Sequence, residues 1–323
     1  MSERNVTEEE KKAKRKRRER IAGIVLIILI VAGCLLFHPL AVKHYRSMLT
    51  EKGYYQPVSV GDHSLNLLTC GRENGSRRIV ALSGFGCGDT SVSMRKMTAE
   101  LEKDNQLIFL DRAGYGASDD SKGGMDTQTI VEDCRTALKN AGVQTTYTIM
   151  AHSLAGVYAS YWVSKYPDEI DSVILLDSTW LLPENAEDSV TPAVLRQYAM
   201  YFAAKTGLTD ICPSTFDGTK EEKKIAKALF SMTNDSKALL TEAKREPENI
   251  KAALDALSPN DVPKLYIQCG KVFPDEAKAN LARYTDRLGS CKTELLDSGH
   301  LMYLEKPEAC CKIIQDFFDS TSH

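Results

Sequence analysis

No two cysteines in this chain stand at C-x-x-C spacing, and no Cys/His group has the spacing of a zinc site. A metal centre is therefore not expected, and nothing else in the pattern asks for a cofactor. The chain also lacks a strong overall charge, since 41 Lys/Arg against 44 Asp/Glu leave −3. It has no internal repeat, and no low-complexity segment beyond its charged start. Histidine is scarce: of six in all, only His300 and His323 lie beyond residue 153. Apolar runs long enough for a membrane are scarce too, with one exception near the N-terminus.

That exception follows a basic block. Residues 1–20 hold nine Lys/Arg and five Asp/Glu, a net +4, which leaves about −7 for the remainder. The acidic remainder argues against nucleic acid as a partner. After Arg20 comes "IAGIVLIILIVAGCLLF", residues 21–37, with no charge. Its length is near the roughly 17–20 residues needed to cross a bilayer as a helix. Basic residues before it place the N-terminus in the cytoplasm and the rest outside. A buried soluble helix and a nuclear localisation signal both fit less well. A cleaved lipoprotein signal is the main alternative, because "VAGC" ending at Cys34 is like a lipidation box, although bulky Leu35, Leu36 and Phe37 follow. The expected organisation is a cytoplasmic tail over 1–20, a membrane anchor over 21–37, a linker over 38–53 and a folded domain over 54–323.

With 323 residues the chain can bury a full core. Eight of its nine cysteines lie past the anchor, scattered through predicted strands and helices. Buried thiols are expected of them more than disulfides, and the pair Cys310-Cys311 is expected to pack within a helix.

Short apolar strands alternate with helices from residue 54 onward. "QPVSV" and "HSLNLLTC" flank Gly61-Asp62 as a hairpin. "RRIVALSG", "QLIFLD", "TYTIMA", "SVILLD", "KLYIQCG" and "CKTELLD" read as strands, with helices expected near 91–103, 127–140, after Ser153, after Pro274 and at the end. This alternation implies a mostly parallel sheet covered on both faces. One charged helical block, about 179–260, interrupts it and reads as a cap inserted over one end of the sheet.

Ligands of such sheets bind at the carboxyl ends of the strands. Ser153 follows one strand, Asp177 another, and His300 a third, in the order Ser…Asp…His. Around the serine, "IMAHSLAG" reads as a strand entering a small-residue turn. It differs from G-x-S-x-G by alanines at 151 and 155, but such a turn needs small residues, and alanine is small. The bland alternative for Ser153 is an ordinary helix cap.

With "LSGFG", "LDRAGYGASDD", "AHSLAG" and "SGHLMYLEKPE" in this order, the chain resembles the α/β-hydrolase fold family from about residue 54 to 319. It is similar to membrane-anchored bacterial members of esterase-like or peptidase-like type. The resemblance implies an eight-stranded-type, mostly parallel sheet with a helical cap. It also implies a nucleophile at Ser153, a general base at His300 and a buried acid that orients the imidazole. Two positions are open for the acid: Asp177, at the end of one strand, and Asp275, displaced from the family's more usual place and positioned to start a helix. Backbone amides of Leu154 and Phe85 are the implied oxyanion donors. Ser83 stands where the family's H-G-x-G motif has histidine. The same glycine-rich loop lacks the Lys-Ser/Thr of a phosphate-binding loop and the dinucleotide pattern.

Asp111 and Arg112 are expected to shape their turn and not to do chemistry. Trp180, Leu181, Leu182, Tyr198, Tyr201 and Phe202 are expected either to form the cap's own core or to line an acyl pocket. The expected activity is hydrolysis of a small acyl substrate, an ester, thioester or amide, and a lipid or other small apolar ester fits the tether and the helical cap. Peptidase or acyltransferase activity and a non-catalytic binding protein are the alternatives on the same fold. Serine at position 153 argues against epoxide hydrolases and haloalkane dehalogenases, which need a carboxylate nucleophile.

Overall fold

The computed structural model describes residues 8–121, 123–186, 191–211 and 216–321. It begins with one helix, α1 (Glu8–Glu51), long and apolar enough to cross a membrane by length and composition. Sequence reading ends the helix at residue 37 and makes 38–53 a linker. In the structure the helix continues through Pro39 and on to Glu51, because a stripe of its C-terminal half is covered by the domain: Leu49 is fully buried and His38 is 5% exposed.

The domain is built on eight strands: β1 (Pro57–Ser59), β2 (Ser64–Gly71), β3 (Arg78–Leu82), β4 (Gln106–Asp111), β5 (Tyr147–His152), β6 (Ile170–Leu176), β7 (Asn260–Cys269) and β8 (Gly289–Leu296). They lie in the order β1-β2-β4-β3-β5-β6-β7-β8. β2 runs antiparallel to β1 and β4, and all other pairs are parallel. The β1–β2 hairpin turns at Gly61, whose φ of 120° is open to glycine but strained for other residues.

Period-2 patterning sorts the side chains of the central strands onto two cores. On one face Val80, Ile108, Ile149 and Leu175 pack with helices α4 (Thr127–Asn140), α5 (Ala155–Lys165) and α10 (Asp275–Leu288). On the other, Ile79, Phe109, Met150 and Ile174 pack with α3 (Arg95–Thr98), α11 (Met302–Glu305) and α12 (Pro307–Thr321). The helix expected over 91–103 is split: α2 (Thr90–Ser93), α3 and a single tight turn at Leu101–Lys103. Met94, Met97 and Leu101, spaced i, i+3, i+7, still share one face and are buried in the core.

Between β6 and β7 the chain leaves the sheet and forms the cap: a short turn at Pro183–Ala186, then α6 (Thr191–Lys205), α7 (Leu208–Ile211), α8 (Lys220–Asn234) and α9 (Lys237–Ala256). Helix α8 starts on a capping box, Thr219 with Glu222, and α9 on Ser236, whose hydroxyl accepts from the Leu239 amide. Among the described residues eight cysteines are free thiols, with Cys134, Cys310 and Cys311 buried.

Candidate active site

Strand β5 is buried throughout and delivers the chain to Ser153 at its carboxyl end. There the backbone turns sharply: Ser153 has φ 55°, in the left-handed region that non-glycine residues rarely occupy. The strain is held from several sides. The Ser153 amide donates to the Leu176 carbonyl at 3.1 Å, and its own carbonyl accepts from Gly156 and Thr179. Small residues are needed here for a measurable reason. A Cβ on Gly156 would stand 2.4 Å from that of Ser178, and one on Gly84 would stand 2.9 Å from that of Ser153. Ala151 and Ala155 are fully buried with their methyl groups accommodated.

Three side chains from three loops meet at this turn. His300 Nε2 lies 3.0 Å from Ser153 Oγ, and His300 Nδ1 lies 2.5 Å from Asp177 Oδ2. A carboxylate can only accept, so Nδ1 carries the proton and Nε2 is free to accept from the serine hydroxyl. Asp177 sits just after β6, also with positive φ, 42°. Its other oxygen accepts from Gln268 Nε2 at 2.7 Å and the Cys269 amide at 3.2 Å, and the Cys269 thiol donates to Oδ2 at 2.9 Å. Burial pushes the Asp177 carboxyl up, but the hydrogen bonds from His300 and Cys269 outweigh it and hold the group below its ordinary value. Burial, with the Asp177 carboxylate beside it, pushes the Cys269 thiol up to about 12.

Asp275, the other position considered for the acid, stands apart. It opens α10, its side chain is 99% exposed, and it pairs with Lys278 one turn on at 3.0 Å. Its place at the start of α10, six residues past the end of β7, carries it out to solvent.

The loop after β3 closes over the serine. A Cβ on Gly84 would stand 2.8 Å from His152 Nδ1 and 2.9 Å from Ser153 Cβ, which places the Phe85 segment beside Ser153. Leu154 begins the turn into α5, where amide groups point at the helix N-terminus. Neither the Phe85 nor the Leu154 amide donates to another described residue.

Two contributions escaped sequence reading. His152, directly before the serine, is 1% exposed and lies 3.0 Å through Nε2 from the His300 main-chain carbonyl. Burial holds its imidazole at about 4, well below the ordinary value, so it is neutral. Its position in the elbow motif was visible, but its partner lies 148 residues on. The second is Arg112. The turn-shaping part expected of "LDRAGYG" is there: Asp111 accepts from Asn66 at 2.9 Å and from the Ala117 amide at 3.1 Å. Arg112 goes further. Fully buried, it donates to the Ser83 carbonyl at 2.5 Å and pairs with Glu242 of α9 at 3.1 Å. Tyr158 donates to the same carboxylate at 2.6 Å, and so does Tyr115. One buried cluster thus joins the cap to the strand end preceding Gly84 and Phe85.

The apolar residues named in the cap divide. Leu181 and Leu182 are buried in the main core, and Trp180 bonds the Tyr266 hydroxyl at 2.8 Å. Tyr198 and Phe202 are exposed. Two cavities of about 480 and 470 Å³ lie elsewhere, against α1 and α8 and beside α4, so chemistry and not volume singles out the serine turn.

A family model for the alpha/beta hydrolase fold matches residues 78–307. The uncharacterised protein YbdG of Bacillus subtilis is 24% identical over 309 residues, covering 90% of this chain and 93% of its own. Among solved structures, a membrane phospholipase A described as a bacterial virulence factor superposes with a TM-score of 0.59 at 18% identity, covering 94% of this chain and 99% of that one. A thermophilic esterase from Thermogutta terrifontis does so with 0.62 at 19%, covering 83% and 99%. At such identities the structural likenesses speak to the fold.

Proposed function

The chain belongs to the α/β-hydrolase fold family, and from that premise we propose that it is a membrane-anchored serine hydrolase acting on esters through an acyl-enzyme. The observation that carries the reading is the unbroken line of hydrogen bonds from Ser153 through His300 to Asp177. Esterase and phospholipase neighbours support hydrolysis as the reaction class.

In this reading the Ser153 hydroxyl attacks the acyl carbonyl carbon while His300 Nε2 takes its proton. The imidazolium that forms is stabilised by Asp177, which the Cys269 and Gln268 donors keep ionised and fixed. Negative charge on the tetrahedral oxygen is met by the Phe85 and Leu154 amides, the latter aided by the α5 N-terminus. His300 then returns the proton to the leaving group. Water enters, loses a proton to His300 and cleaves the acyl-serine bond, regenerating the hydroxyl.

The anchor in this reading is α1, with the basic residues before Ile21 on the cytoplasmic side and the catalytic domain on the other. Labelling by a fluorophosphonate probe tests the enzyme. The full chain is expected to label and Ser153→Ala is not; equal labelling of the two rejects the proposal. An acyl-chain-length series of esters beside a peptide series reads the substrate preference, with ester turnover expected to dominate. Protease digestion of intact cells is expected to degrade the catalytic domain, and a protected domain would overturn the topology.

A further inference from the structure

The face of α1 that the domain covers begins too early for a simple tether. Residues 21–30 are exposed on every side. Ten helical residues rise only about 15 Å, half of the roughly 30 Å of bilayer hydrocarbon. Basic residues precede them and cannot extend the span. From Val31 onward one stripe is covered: Val31, Cys34, His38, Val42, Tyr45 and Leu49. Their spacing of three and four keeps them on a single face of the helix. A helix that crosses the bilayer must therefore use residues whose flank is already occupied by the cap.

The contact is specific. A Cβ on Gly207, in the turn between α6 and α7, would stand 3.9 Å from the Cys34 Cβ. Cys34 lies within the apolar run, three residues or about 4.5 Å before its end at Phe37. One turn further on, His38 lies 2.9 Å from Asp210 and 3.3 Å from Asp235, and the Tyr45 hydroxyl donates to Asp210 at 3.0 Å. Lys205 pairs with Asp235 at 2.6 Å. His38, Asp210, Asp235 and Lys205 thus face one another, as ionisable groups at membrane depth do.

What the same tip turns outward is largely apolar, with Arg196 the exposed charge on α6. Leu195 and Phe202, two turns apart on one face of α6, are 68% and 65% exposed, while Tyr198 between them faces the Lys244 ammonium 5.0 Å from its ring. Leu208 and Ile211 of α7 are 50% and 76% exposed. Beside them Leu35, Leu36, Phe37 and Leu40 of α1 are equally bare. The two surfaces approach one another where Gly207 of the cap meets Cys34 of α1, and large apolar patches mark interaction sites.

We infer that the α6–α7 tip of the cap is immersed in the half of the bilayer next to the domain, with lipid acyl chains covering Leu195, Phe202, Leu208 and Ile211. This rests on the reading of α1 as a membrane span. The cap is then a second membrane contact that fixes the tilt of the domain, and not a lid standing in water.

The full chain reconstituted into phosphatidylcholine vesicles tests this, as parent and as Phe202→Trp and Ile211→Trp. Flotation first reports whether α1 holds the protein to the vesicle, and fluorophosphonate labelling reports the serine site separately. In vesicles of phosphatidylcholine brominated along its chains, the emission added by each new tryptophan, over that of Trp162 and Trp180, is expected to fall by about half or more, because an interfacial helix sits some 5–10 Å deep. Aqueous iodide is expected to leave it unchanged. Protein that floats while its added emission is quenched by iodide and not by bromine overturns the inference and leaves the anchor standing. Protein that does not float overturns both.

Discussion

His152 Nε2 donates to the main-chain carbonyl of His300 across 3.0 Å. The residue before the serine therefore holds the loop that brings the imidazole to that serine. The carbonyl can only accept, so this bond requires the proton on Nε2, and the neutral His152 ring supplies it. The rings of His152 and His300 lie 4.6 Å apart, and Tyr303 closes edge-on against His152 at 5.0 Å.

Acid should therefore weaken the fold through His152. Its folded pKa of about 4 lies below the ordinary 6.5, so between those values the unfolded chain binds a proton that the folded one does not. Stability is then expected to rise with pH from about 4 to 6.5 and level off above. His152→Asn is expected to flatten that slope in thermal melts and to lower kcat, since the His300 loop loses its fit. An unchanged slope would remove His152 as its cause.

Asp177→Asn is expected to lower kcat by about 10⁴, the loss seen when a triad acid can no longer hold the imidazole tautomer. Asp275→Asn is expected to leave turnover unchanged, since that side chain is 99% exposed and pairs with Lys278 away from His300. The assignment of the acid fails if the Asp275 variant is the inactive one while melting normally.

Gly84→Ala is expected to reduce turnover more than stability. Its methyl group would stand 2.8 Å from His152 Nδ1 and 2.9 Å from Ser153 Cβ, so the loop must retreat. Retreat draws the Phe85 amide off the position proposed for the oxyanion, and a displacement near 1 Å is enough for about 10²-fold in rate. Steady-state kinetics with a soluble ester check it: an unaltered kcat would separate this loop from the chemistry.

Arg112→Met is expected to cost about 3–5 kcal/mol, because it strands the Glu242 carboxylate among Tyr115 and Tyr158 with no cation. Replacing both partners, Arg112→Met with Glu242→Leu, is expected to recover part of that loss. Denaturant unfolding of the two variants measures it, and a double variant no better than the single one would show that the pair is not what the cap depends on.

Much of this was legible in the chain. The strands read from period-2 apolar runs because each is short and locally determined. The elbow read despite its alanines because the turn around Ser153 demands small side chains, and that demand is written in adjacent residues. His300 read because so few histidines follow the serine. The cap read as a strandless stretch between "SVILLD" and "KLYIQCG", though not the burial of Leu181 and Leu182 in the main core beneath it.

Other features depended on contacts made far along the chain. Asp177 and Asp275 look alike in sequence, and only the register of β6 beside β7 shows which carboxylate reaches His300, 123 residues away. The same holds for Arg112, whose partner Glu242 lies 130 residues on, and for the stretch 38–51, whose helical state is secured by packing against the cap. Sequence by itself determined the strands, the serine turn and the apolar run, since these follow from neighbouring residues. Tertiary structure decided which acid meets the histidine, what holds the loop after β3 and how far along α1 the cap reaches, because those are distances between residues that no local pattern connects.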